Sequence, residues 1–361
     1  MNNRILLFSF LIITFLYLYA GDGGIELIHA DKSIGKMIDD ERVNISEGNV
    51  HFRQDTIDMY CDEARFYESQ NKVEFIGSVY INDGHNTLRA RRVDYYSEER
   101  KAVCVGHVRI KTPKDSLYAE YFTYNFKSGE ATGRTNLFIY SIEDNVKIWG
   151  ENGRYDRNKG FSLIRNNCRL TRYDENSEDT LIILSQQMEY YELPGKKAVA
   201  LDSATILQGS LKAVCDTAEF HPDQEIIWLK NKPRAWYELS KMKGKRMKVD
   251  VDSLKLRNIT IYEDALAESQ VDSVSADYNS LEAREIQFYI ENKKPEKIIA
   301  IDNASSIYYL LEENERQGSN YATADTIVVY FQKGELDSID VRGGAQGTFY
   351  PDDYEGEKGF E

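Results

Sequence analysis

The side chains that most often carry catalysis are few and scattered along this chain. Its five histidines, His29, His51, His85, His107 and His221, show no zinc-type spacing such as His-Glu-x-x-His. The four cysteines, Cys61, Cys104, Cys168 and Cys215, contain none of the close pairs a metal site needs. No Gly-x-Ser-x-Gly elbow and no glycine-rich phosphate loop occurs. With 60 Asp and Glu in the chain, chance proximity accounts for any one acidic pair. Asp39-Asp40-Glu41 and Asp352-Asp353 read as solvated turns. The residues therefore give no catalytic group, no metal site and no cofactor site, and the expectation is a protein that binds and does not catalyse.

Charge narrows what it could bind. Lys and Arg number 45 against those 60 carboxylates, a formal net charge of -15, which argues against nucleic acid as a partner. Two basic clusters stand out, Arg89-Arg91-Arg92 and Lys241-Lys243-Lys245-Arg246-Lys248. Either could meet the phosphates of a lipid headgroup, but such runs are more often solvated faces or loops, and acidic residues surround both.

The stronger pattern is apolar. One motif recurs: apolar, any, small, two of any kind, apolar, any, aromatic or apolar. Its clearest copies are Leu88–Tyr95 and Leu117–Tyr124. Looser copies lie at Met59–Phe66, Ile148–Tyr155, Ile183–Tyr190, Ala213–Phe220, Val249–Leu256, Leu281–Phe288 and Ala322–Val329, with a partial first copy at Ile28–Ser33. The small residue falls at 30, 61, 90, 119, 150, 185, 215, 251, 283 and 324, in steps of 29 to 41 residues, as expected of a repeat lengthened by loop insertions. Each copy is followed by a second segment, centred in the early units on Gly48-Asn49-Val50, Gly77-Ser78-Val79 and Gly106-His107-Val108. Around these centres every second residue is apolar, the period of a strand with one buried face.

The elements follow from that period. Turn residues such as Asn82-Asp83-Gly84 and Lys127-Ser128-Gly129 separate the segments, so each unit is two strands, and the fold class is all-β. The two-residue step inside the first segment predicts a bend, and the glycines predict one in the second. Stacked units would align their apolar faces, and ten at the spacing of neighbouring strands would extend about 48 Å with two open edges. Phe75, Val79, Ile81, Val108, Ile110, Leu137 and Ile139 are the candidate lining of that interior. By alternation Glu74 faces out. The cysteines fall at apolar positions, which makes buried thiols at least as good a reading as disulfides.

The tandem Leu-x-Ala-x-x-Val-x-Tyr followed by Gly-x-Val-x-Ile, clearest from Met59 to Ile110, resembles the organic-solvent-tolerance A (OstA-like) family, the periplasmic bridge of lipopolysaccharide transport. The resemblance is good over residues 28–140 and fades where Asn166, Asp202 and Asn231 replace the glycine. It implies an elongated β-jellyroll, open at both ends, whose apolar groove carries lipid A acyl chains between the inner and outer membranes. It also implies edge-to-edge partners, either other jellyrolls of the transport system or a second copy. The longer stretches at Tyr173–Asp179, Lys241–Lys248 and Glu312–Asn320 read as insertions the family's short members lack.

The apolar run Ile5–Tyr19 behind Arg4 reads as a signal peptide over residues 1–21, which makes the protein periplasmic, or membrane-anchored if the peptide is kept. The repeats then occupy 25–350, in one run or in two lobes of about 25–240 and 241–350, before a polar tail at 351–361. Three other readings compete: an outer-membrane β-barrel, a structural or adhesive β-solenoid, and a polysaccharide-acting β-helix enzyme. The last would repeat an acid pair at one phase of the unit, and no such pair persists.

Overall fold

The computed structural model describes residues 25–354 and 356, apart from 55, 126, 143–144, 157, 174–179, 192–194, 253–254, 272–276 and 313–314. The expected leader and most of the polar tail lie outside the described residues, as does all but the first residue of the expected insertion at Tyr173–Asp179. Among the described residues there are 26 strands in one hydrogen-bonded antiparallel sheet, and the sole helical element is a single turn at Pro222–Gln224. Among the described residues no helix is long and apolar enough to cross a membrane.

The chain divides into two compact units. The first, described over 25–173 and much of 185–198, is an antiparallel meander in which each strand pairs with the next. Its strands are β1 (Glu26–His29), β2 (Lys32–Ile38), β3 (Glu41–Gln54), β4 (Ile57–Tyr67), β5 (Lys72–Asn82), β6 (Thr87–Tyr96), β7 (Lys101–Lys111), β8 (Asp115–Asn125), β9 (Glu130–Ser141), β10 (Val146–Asp156) and β11 (Phe161–Arg172). β1 and β2 both pair with β3, so they are two arms of one rung broken at the first copy of the motif.

The predicted bends are present, and they share one backbone geometry. Gly48-Asn49, Gly77-Ser78, Gly106-His107, Thr135-Asn136 and Asn166-Asn167 each hold two successive positive φ angles in mid-strand. The pairing skips there: Val105 faces Tyr121 and Val108 faces Ala119, so two residues of β7 oppose one of β8. Each such bulge turns the strand; the bulged strand keeps its apolar phase across it, as Ala102, Cys104, Val108 and Ile110 do, while the partner switches phase, as Leu88 and Ala90 against Val93 and Tyr95 do. Gly106 is needed on two counts. Its φ is 81°, and a Cβ there would sit 2.8 Å from Cδ of Arg91, the residue after the small position of the neighbouring strand.

Side chains at that same position close over this corner from its other side and over further corners. Asp31 accepts from Asn49 Nδ2 at 3.0 Å, Glu120 accepts from the His107 amide at 3.1 Å, and Glu151 accepts from Asn167 Nδ2 at 3.2 Å. The backbone donation and the His107 side chain hold the Glu120 carboxyl below its ordinary range.

The second unit, described within 180–184 and 199–356, repeats the device at Asp202-Ser203, Asn231-Lys232, Glu263-Asp264, Asp302-Asn303 and Gly343-Gly344. One expectation needs correcting. Lys241–Lys248 is no insertion: it forms strand Ser240–Lys243, a corner, and the start of strand Arg246–Asp252. Met242 and Met247 are fully buried, and Gly244 takes the small position, with Lys245 bonded across to the Glu263-Asp264 corner. The true copy is Met242–Val249, and the one read at Val249–Leu256 takes in the end of strand Arg246–Asp252 and the start of strand Lys255–Gln270. Methionines at the apolar positions among outward lysines had masked it. Likewise Glu312–Asn320 is no loop insertion, because strands Lys294–Glu312 and Glu315–Gln332 simply run longer.

All four cysteines are free thiols, buried in the interior. Burial pushes Cys61 and Cys104 up to about 12, and Cys168 and Cys215 up to about 11.

Candidate functional site

Strand register assembles the interior of the first unit in rows. In the arm between the corners and the loop that joins β4 to β3, Met59 faces Ile81, which faces Leu88, then Ile110, Leu117, Ile139, Ile148 and Leu170, one from each strand from β4 to β11. The other arm contributes Phe75, Val93, Cys104 and Phe122 in one row and, beside it, Tyr95, Ala102, Tyr124 and Ala131, large alternating with small. The arms meet across the interior. A Cβ on Gly133 would stand 2.9 Å from Leu137 Cδ1, and one on Gly153 would collide with the same side chain.

The seven candidate lining residues all face this interior. Phe75, Val79, Val108 and Ile110 are each 1 % exposed, and Ile81, Leu137 and Ile139 are buried with them. Leu137 and Ile139 border an apolar hollow of about 40 Å³ together with Phe122, Gly153 and Ile164. The other five pack against neighbouring core side chains and do not reach it. The hollow arises because Gly133 and Gly153 interrupt the row that Phe122 and Ile164 otherwise fill.

Sequence reasoning missed a roomier hollow in the second unit, about 200 Å³. Its walls are Phe288, Ile298, Val329 and Ile339 from one arm, and its rim includes Ser240, Ser269 and Asn279. The facing row explains the space: Ala267, Leu281, Ser306, Ala322 and Gly347 pair in register, so most positions held by Ile or Leu in the first unit are small here. Alanine, serine and glycine at inner phase were the available sign. It was hidden because the copies at Leu281 and Ala322 were matched loosely.

The polar candidates resolve into surface pairs. His51 lies 2.7 Å from Asp58, His107 2.9 Å from Glu120, and His221 3.7 Å from Glu219, each on its own rung. No three metal-ligating side chains converge among the described residues. The arginine cluster splits between the two arms of the outer face: Arg92 binds Asp94 at 2.6 Å and Glu74 at 2.8 Å, whereas Arg89 lies over the Tyr80 ring. Glu74 does point outward, yet it is buried, because Lys72 and Arg92 close over it. In the lysine cluster Lys245 pairs with Asp264 at 3.2 Å and Lys248 with Asp250 at 2.8 Å.

The family model for OstA-like proteins matches residues 23–135. The LPS-assembly protein LptD of Nitrosomonas europaea is 29% identical over 119 residues, which is 32% of this chain and 15% of that protein. The chain thus spans under a sixth of that relative's length. Among solved structures, LptH of Pseudomonas aeruginosa, described as the LptA-homologous periplasmic component of the lipopolysaccharide transport device, aligns over 39% of this chain and 95% of its own, at 15% identity and a TM-score of 0.31.

Proposed function

Taking as premise that residues 23–135 carry an OstA-like segment, we propose that this chain is a lipopolysaccharide-transport scaffold of the cell envelope whose apolar interior receives acyl chains. The observation that carries this reading is the unbroken apolar row from Met59 to Leu170, one residue from each of eight successive strands at a single register. A chain laid along that row would bury its methylenes at about 0.8 kcal/mol each. The interior is self-packed, so entry must part the arms, and it costs the contacts those side chains make with one another. The hollows beside Leu137 and beneath Phe288 are where that cost is least, since side chains there already lack partners.

In this reading the envelope location, the acyl-chain groove lined by Phe75, Val79, Ile81, Val108, Ile110, Leu137 and Ile139, and the pairing of open strand edges with other transport jellyrolls stand together. The protein works by binding and handing on, with no bond made or broken. The test is site-specific photo-crosslinking in cells, with a benzophenone side chain at Ile110 or Leu137 and, for comparison, at Arg134, which is exposed on the outer face and borders neither hollow. Capture of lipopolysaccharide from the two inner positions and not from Arg134 is the expected result. Equal capture from Arg134, or none from either inner position, overturns the reading.

A further inference from the structure

The outer surface of the first unit carries a second ordered row, directly behind the apolar one. At one register position Tyr80 faces Arg89, Arg89 faces Arg109, and Arg109 faces Tyr118. The row continues as Phe138, Trp149 and Arg169. Each guanidinium lies on a ring: Arg89 is 4.4 Å from the Tyr80 centroid, Arg109 4.8 Å from Tyr118, and Arg169 5.6 Å from Trp149. Phe138 joins the middle of the row, 5.6 Å from Tyr118 and 5.2 Å from Trp149. In the adjoining outer row stand Lys111 and Lys147, the latter 5.5 Å from the Tyr140 ring.

Three features set this face apart from an ordinary solvated sheet surface. Across β5 to β11 the two rows hold five cations and no carboxylate, in a chain whose net charge is -15. On the outer face of the other arm, by contrast, Lys72 pairs with Glu74, Arg92 with Asp94 and Arg154 with Glu130. Secondly, Arg89 and Arg109 stand directly opposite one another, an arrangement of like charges that destabilises a strand pair. Packing alone would not select it. Thirdly, the rings of Tyr80, Tyr118, Phe138 and Trp149 are half-buried while the three arginines are exposed. Over these strands the surface therefore presents oriented guanidinium forks above half-buried rings.

We infer that this outer face binds an extended anionic glycan, its acid groups held by Arg89, Arg109 and Arg169 and its sugar rings lying against the aromatic side chains between them. The row spans seven strands, about 29 Å at the spacing of neighbouring strands, which suits a linear polymer of several sugars laid across the strands. A planar guanidinium already stacked on a ring loses little freedom on meeting a carboxylate or phosphate, and two parallel N–H donors match either group. The inference does not rest on what fills the interior, because every residue it uses points the other way.

The test is titration of the full chain with polygalacturonate, with dextran as the neutral glycan and phosphatidylglycerol vesicles as the anionic lipid surface. The wild-type chain and Arg134→Gln, which removes an exposed arginine stacked on Tyr121 on the other arm, should bind polygalacturonate equally. R89Q/R109Q should weaken binding at least tenfold with unchanged circular dichroism, and Arg169→Gln should do so to a smaller extent should the double variant fold poorly. Raising salt should weaken the wild-type interaction. Three results would overturn the inference: undiminished binding by R89Q/R109Q and R169Q, equal binding of dextran, or binding of vesicles but not of polygalacturonate.

Discussion

The corner at Thr135-Asn136 lets the physical account of the repeat be tested on a single residue. Thr135 holds φ of 65° and Asn136 holds 57°, the same left-handed pair that Gly106-His107 adopts one rung earlier. An L-residue in that region costs about 1–2 kcal/mol, and a β-branched side chain lies at the upper end. Thr135 is exposed, so its removal forfeits no burial. Glycine would relieve the strain but loses about 0.5–1 kcal/mol more backbone entropy on folding. The net expectation for Thr135→Gly is a gain of about 0.5–1 kcal/mol, or about 1–4 °C in Tm for a unit of this size. Thr135→Asn should fall between the two, since Asn tolerates the left-handed region better than Thr. The mirror experiment is Gly106→Thr, which adds both the strained φ and a Cβ 2.8 Å from Arg91, and should cost about 1–3 kcal/mol. Differential scanning fluorimetry with urea titration of the four proteins would order them. If Thr135→Gly is no more stable than wild type while Gly106→Thr is tolerated, the corners are not held by backbone conformation, and the reasoning fails.

Three further outcomes follow from the packing and the charges. Phe75, 1 % exposed and set edge-on to Phe52 at 5.7 Å, should cost about 3–5 kcal/mol when cut to Ala, read as a lower urea midpoint. With burial holding the cysteines at about 11 to 12, the native chain at pH 8 should leave its four thiols unreacted with Ellman's reagent, and denaturation should release all four. Fast labelling of the folded protein would contradict the buried placement. Hydrogen bonds hold several carboxyls below their ordinary values, with His51 and Arg53 acting on Asp58, Lys159 on Asp156, and Asn231 with Thr217 on Asp216. A depressed carboxyl stabilises the fold above its unfolded pKa and loses that contribution as pH falls through the folded one. Thermal stability should therefore hold near neutrality and drop below about pH 4, and a Tm that stays flat from pH 5 to pH 2.5 would refute the assignment.

How far the fold was legible depends on which property of the chain each feature demands. Burial demands only apolarity at alternate positions. Alternation therefore puts Phe75, Val79, Ile81, Val108, Ile110, Leu137 and Ile139 on the inner face, and all seven are buried there. The corner demands a conformation, which glycine supplies visibly at 48, 77 and 106 and which Thr135, Asn166, Asp202, Asn231, Glu263 and Asp302 supply without a shared letter. The match to the OstA-like model ends at residue 135, the first corner after the three glycine-centred ones that has no glycine, yet the left-handed pairs continue to Gly343-Gly344. Sequence likeness thus faded with the residue type while the geometry that type had served went on.

The copy at Met242–Val249 was lost for a related reason, since its outward lysines dominated the reading and methionine is a weak marker of a strand interior. Features that depend on register were the least accessible. The row of Tyr80, Arg89 and Arg109 exists only once three successive strands are aligned, because the alternation along any one strand does not say which residue of the next it faces. The large hollow in the second unit depends in the same way on small residues meeting across four pairings. In a repeat whose rungs vary in length, one extra residue in a loop shifts the whole alignment. Surfaces assembled across strands therefore have to be read from the pairing.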